Sequence, residues 1–135
     1  MSEWVVPAHY GQWIVRMGYL IPFSVLHAYL RGHIVLAACS VAGCTTTILY
    51  WSKPTRGFRR TLDLIVIQLS LWSHLNHAWK SNVWFDYLTL ITCAAATYPV
   101  GHALQAKGYL DLAMSCHVIL HIFVFIANNY LYLYS

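Results

Sequence analysis

Eight histidines lie in a chain of 135 residues of which 59% are hydrophobic and only 9% are charged. An imidazole in hydrocarbon must find a partner or a cavity, so histidines inside apolar segments are candidates for function. His74 and His77 are three residues apart and His117 and His121 four apart, spacings that put each pair on one helical face. Imidazoles converging from several helices suit zinc, iron or copper, and a facing pair suits the two axial positions of a haem. The chemistry this implies is redox chemistry or metal-dependent lipid modification. The residue types nominate His74, His117 and His121 as metal ligands, with His27 and His77 as further cofactor contacts. Asp63 is the candidate catalytic carboxylate, as a metal ligand, a group orienting a histidine, or a general base. The alternatives are structural. Each imidazole can simply hydrogen-bond a neighbouring Ser, Thr or carbonyl, and Asp63 can complement the positive end of its helix.

Such groups need helices to position them. Five long apolar stretches run roughly from Gly11 to Leu30, His33 to Trp51, Arg60 to Trp79, Val83 to Leu104 and Tyr109 to Tyr134. Each approaches or exceeds the ~20 residues with which an α-helix crosses a bilayer. So apolar a chain has too little polar surface to cover a soluble globule of its size. Continuous runs such as Leu62 to Leu71 argue against the alternating strands of a β-barrel. The expected fold is an all-α integral membrane protein, a single domain over residues 1–135, in which short connections make an up-and-down bundle of five transmembrane helices. Arg16 lies within the first stretch and Pro22 interrupts it. If that stretch lies along the interface, the number is four.

Angular positions then place the polar groups. At about 100° per residue, Asp63, Ser70, His74 and His77 fall within about 40° of one line on the third segment. His117 and His121 share a face of the fifth, with Asn128 between them in projection. His33, Ser40, Cys44 and Thr47 share a face of the second, and Arg16 and His27 are almost in line on the first. Polar stripes on four helices avoid lipid only by facing one another, so the bundle should have a polar interior. By depth, His27, His74, His77 and His121 can meet in one half with His33 above them, while Asp63, His102, Asp111 and His117 form a second group in the other.

The net charge of +4 mainly reports topology. Lys53, Arg56, Arg59 and Arg60 cluster in one connection, which the positive-inside rule places in the cytoplasm or its equivalent. Lys107 falls on the same side, and Arg31 and Lys80 on the other. A nucleic-acid partner is a poor explanation of these charges; the expected partners are membrane lipid and other membrane subunits. Trp4, Trp13, Tyr50, Trp51, Trp79, Trp84, Tyr87, Tyr109, Tyr130, Tyr132 and Tyr134 lie mostly near segment ends and read as headgroup anchors. Cys39, Cys44, Cys93 and Cys116 lie within apolar segments without CxxC spacing and read as buried thiols. Glu3 precedes the first apolar residues and no basic region leads them, so no cleaved signal is expected.

Ser40, Asp63 and the pair His117 and His121 resemble the sparse signature of the alkaline ceramidase and progestin-receptor-like membrane hydrolases. The resemblance implies zinc and an activated water for amide hydrolysis in lipids. It covers four positions, and those proteins have seven helices where this chain has at most five. Membrane desaturases also carry many histidines, but gathered in boxes on one side of the membrane rather than scattered through the spans. Two other readings fit the composition: a non-catalytic subunit or assembly factor of a larger membrane complex, and a small proton or metal permease.

Overall fold

The computed structural model describes residues 5–135, and its regular structure is entirely helical. Glu3 and Trp4 lie outside the described residues. The helices are α1 (Ala8–Gly18), α2 (Ile21–Leu30), α3 (Ile34–Trp51), α4 (Phe58–Trp79), α5 (Trp84–Ala106) and α6 (Leu110–Tyr134). The last four match the second to fifth apolar stretches to within two residues. The first stretch is not one helix. Pro22 has no N–H to give, and its ring collides with the carbonyl four residues back, that of Gly18. The chain accordingly breaks after Gly18 and restarts at Ile21, with Pro22 in the first turn of α2. Glycines at positive φ, Gly32, Gly57 and Gly108, mark the connections that precede α3, α4 and α6.

α1 and α2 run in the same direction from one end of the bundle to the other, α3 to α6 then alternate, and hydrogen bonds tie the ends together. At one end, Val5 N–H donates to the Pro54 carbonyl at 2.9 Å, and the Gln105 amide donates to the Val5 carbonyl at 3.1 Å. At the other, the Arg31 guanidinium donates to the carbonyls of Tyr132 (3.1 Å) and Leu133 (2.8 Å) at the end of α6. These are called the N-terminal and C-terminal ends below. The N-terminal segment, the α3–α4 connection and the α5–α6 turn thus share one end.

Packing is uneven around the bundle. α5 lies along α6, α3 packs on α4 and on α2, and α1 and α2 bridge α3 to α6, whereas α4 and α5 barely touch. Gly11 lets α1 approach α3 closely, since a Cβ there would collide with the Trp51 carbonyl. Two apolar clusters close the ends. One gathers Tyr10, Ile14, Val15, Tyr50, Trp51 and Met114; the other includes Ala28, Ala78, Tyr87, Ala127, Leu131 and Tyr132. Polar groups are buried among a mostly apolar core, and large apolar side chains face outward. Ser24, Ser40, Thr46, Thr47, Asp63 and His74 are buried, while Ile65, Leu69 and Trp72 of α4 face outward. Two helices, Ile34–Trp51 and Leu110–Tyr134, are long and apolar enough to cross a membrane.

Two expectations change. Arg16 is exposed and takes no part in the interior, so the alignment of Arg16 with His27 dissolves at the break before α2. Tyr50, Trp51, Tyr87 and Tyr132 are buried, so these four aromatics are packing and hydrogen-bonding residues rather than headgroup anchors. The cysteines are free thiols as expected, but none is buried: Cys93 is exposed and the others are half-buried.

Candidate functional site: a cavity between two histidine groups

The sparse contact between α4 and α5 leaves a cavity of about 520 Å³ between the two apolar clusters. It is elongated. Along α4 its wall runs from Arg60 to His74, fourteen residues or about 21 Å at 1.5 Å per residue. The wall is mostly apolar, supplied by residues such as Leu64, Ile67, Ile91 and Leu120, with polar groups set into it. Ser40, Asp63, His74, His117 and His121 all line this one space, so the stripes read from helical periodicity on α3, α4 and α6 do face one another.

Within it the histidines divide. His117 and His121 lie side by side on α6, ring centroids 5.2 Å apart, and the indole of Trp51 packs at 4.8 Å against His117. The Nε2 atom of His121 is buried and has no hydrogen-bond partner. A buried polar atom left unpaired costs on the order of 1–3 kcal/mol. His74 is different. Its Nδ1 lies 2.7 Å from the Ser70 carbonyl and its Nε2 2.6 Å from the Tyr132 hydroxyl, which in turn is 3.2 Å from Ser40 Oγ. Both ring nitrogens are therefore occupied by protein groups.

His27 and His77 belong with His74 at the C-terminal end and do not line the cavity. His27 Nδ1 meets Asn129 Oδ1 at 2.8 Å, and the Asn129 amide donates to Ser24 Oγ. His77 Nε2 meets Ser135 Oγ at 3.0 Å, and its ring lies 4.7 Å from that of His33. The rings of His27, His33 and His74 all approach Tyr132 within 6.0 Å. The grouping of His27, His74 and His77 with His33 above them is thus present, built around Tyr132, but His121 is not in it. His121 sits with His117 instead.

Asp63 is buried on the cavity wall and accepts a hydrogen bond from Thr47 at 3.1 Å. Eleven residues separate it from His74 along α4, about 16 Å, so it does not orient that imidazole. Asp111 is exposed and accepts the Tyr10 hydroxyl at 2.7 Å, outside the cavity. Among the described residues, no three His, Cys, Asp or Glu side chains are arranged around a common point to hold a metal ion.

Tyr132 and Asn129 were not readable as site residues. Tyr132 sits three residues from the chain's last position among other tyrosines, a pattern that suggests anchoring. Asn129 points to His27, whereas its neighbour Asn128 accepts from Tyr87 at 3.1 Å. Position relative to the α6 stripe separates the two asparagines only once the rotation of α6 is known.

No protein-family profile, curated protein or solved structure matches this chain. The likeness to the ceramidase-type hydrolases therefore rests on Ser40, Asp63, His117 and His121 alone. These four line one cavity, but Ser40 is bound to Tyr132 and Asp63 to Thr47.

Proposed function

We propose that the chain is a multi-pass membrane protein whose interior holds a divalent metal ion at His117 and His121 for chemistry on a lipid that enters between α4 and α5. The observation that carries this reading is the buried, unpartnered Nε2 of His121 beside the ring of His117 on a cavity wall. Two imidazoles four residues apart on a helix are a chelating pair that suits zinc, iron or copper.

Membrane insertion is supported by the polar groups held inside the bundle and the large apolar side chains on its outside. α4 and α5, with 22 and 23 residues, are about 33 and 35 Å long, enough to cross hydrocarbon beside α3 and α6. The outward Ile65, Leu69 and Trp72 suit lipid, and the inward Asp63 and His74 do not. With α1 and α2 together as the first crossing, this makes five spans. The weak seam between α4 and α5 is then a lateral opening toward acyl chains, and the elongated apolar wall accommodates one.

A divalent ion in this site supplies Lewis acidity. The chain's own contributions are the apolar walls that exclude water, Trp51 fixing the His117 ring, and Asp63 with Thr47 as a polar group some distance along the same wall. Metal analysis and an absorption spectrum of protein purified gently from its native membrane test the reading. Stoichiometric zinc, iron or copper without a Soret band supports it. A Soret band transfers the site to haem, and absence of both leaves the subunit or permease reading.

A further inference from the structure

The C-terminal rim holds a second arrangement of imidazoles, separate from the cavity. His33 caps the start of α3, His77 lies in the last turn of α4, and Ser135 follows α6. The Nε2 atoms of both histidines point at one atom: Ser135 Oγ lies 3.0 Å from that of His77 and 3.4 Å from that of His33. Their rings are 4.7 Å apart and nearly perpendicular, at 72°. A hydroxyl held between two imidazole nitrogens can accept a hydrogen bond from one ring N–H and donate one to the other ring's lone pair. The same convergence presents two lone pairs to an ion when both rings carry their proton on Nδ1.

We infer that His33 and His77 form a binding site for a late transition-metal ion, copper(II) or zinc(II), which displaces the Ser135 hydroxyl and ties together the ends of α3, α4 and α6. Both imidazoles are half-buried, so the ion arrives directly from water while the stems are held by packing. The donors are neutral nitrogens, which favour copper and zinc over the oxygen-seeking magnesium and calcium. The neighbouring cations point the same way. Arg31 is engaged with the carbonyls of Tyr132 and Leu133, and exposed Lys80 follows three residues after His77. A site held by charge alone would fail beside them, whereas coordination to imidazole survives. Water completes the shell, since two protein donors leave positions open.

The test is titration of the metal-stripped full chain in detergent with copper(II), zinc(II), calcium or magnesium salts, followed by calorimetry and, for copper, by electron paramagnetic resonance. The expected result is one rim ion per chain, nitrogen hyperfine structure from imidazole, and no binding of calcium or magnesium. His33→Ala and His77→Ala should each weaken rim binding by roughly tenfold or more, the size of effect seen when metal-site contacts are removed. His117→Ala should leave it unchanged, which separates this site from the interior one. Ser135→Ala should bind at least as well as the parent, because it removes only the competing hydroxyl. Unchanged affinity in both histidine variants, or loss of binding in Ser135→Ala, overturns the assignment.

Discussion

The Tyr132 hydroxyl lies 2.6 Å from His74 Nε2, and this contact joins α6 to α4 across the interior. Tyr132 is fully buried, and its hydroxyl also reaches Ser40 on α3 at 3.2 Å, so one side chain links three helices. Removing the hydroxyl strands the imidazole nitrogen without removing the ring. Tyr132→Phe should therefore destabilise the protein by about 1 kcal/mol, at the scale of interhelical hydrogen bonds in membranes. The check is a detergent unfolding titration of a double-mutant cycle with His74→Ala. If the contact carries the effect, Tyr132→Phe costs much less when His74 is already alanine. Equal costs in both backgrounds refute it.

Gly11 supplies a test of the α1–α3 contact. A Cβ there meets the Trp51 carbonyl, which is backbone and cannot swing away. Gly11→Ala should lower the unfolding free energy by about 1–3 kcal/mol, as overpacking does. Gly43→Ala, where a Cβ finds open space, should be neutral or stabilising because alanine is the better helix former. A neutral Gly11→Ala contradicts the described approach of α1 to α3.

Helix periodicity made the interior stripes legible because Asp63 and His74 recur on one face of a helix that is otherwise apolar. The segment bounds were legible for the same reason that hydropathy finds spans: long apolar runs are punctuated by Pro54, Gly57 and Gly108. What the sequence concealed was rotation and partner choice. His121 falls at the right depth to join His74, yet the turn of α6 sets it beside His117, while Tyr132, at a helix end where aromatics usually anchor, is drawn inward by His74 and Ser40. The break before α2 was signalled by Pro22, but its consequence for Arg16, exposure on a separate short helix, depends on how α1 packs.

The two ends of the bundle carry opposite topological roles in the proposed five-span arrangement. Thr55 lies in the basic α3–α4 connection and Ser81 in the α4–α5 connection at the opposite end. In a cysteine-free background, single cysteines at these positions should react with an impermeant maleimide from opposite sides, Thr55→Cys from the cytoplasmic or equivalent side. Labelling of both from one side contradicts a spanning α4.

Arg31 caps α6 by satisfying two of its last carbonyls, groups that have no partner within the helix. Arg31→Leu removes both bonds and a cation from the negative end of the helix dipole. The expected outcome is faster amide hydrogen exchange confined to the last turn of α6, with the exchange of its centre unchanged. Uniformly faster exchange along α6 would show that Arg31 supports the whole helix rather than its end.

Metal content per chain decides whether His121 binds a metal ion in the interior, as proposed. The measurement is made in a His33→Ala background, so that the rim pair does not contribute, on protein isolated gently from its native membrane. The parent of that series should carry close to one zinc, iron or copper ion per chain. His121→Ala and His117→Ala should lose most of it, because a site with a missing donor retains little affinity, and His9→Ala, altered outside the cavity, should keep it. Metal-free parent protein, or metal retained in full by His121→Ala, rules out metal binding at His121.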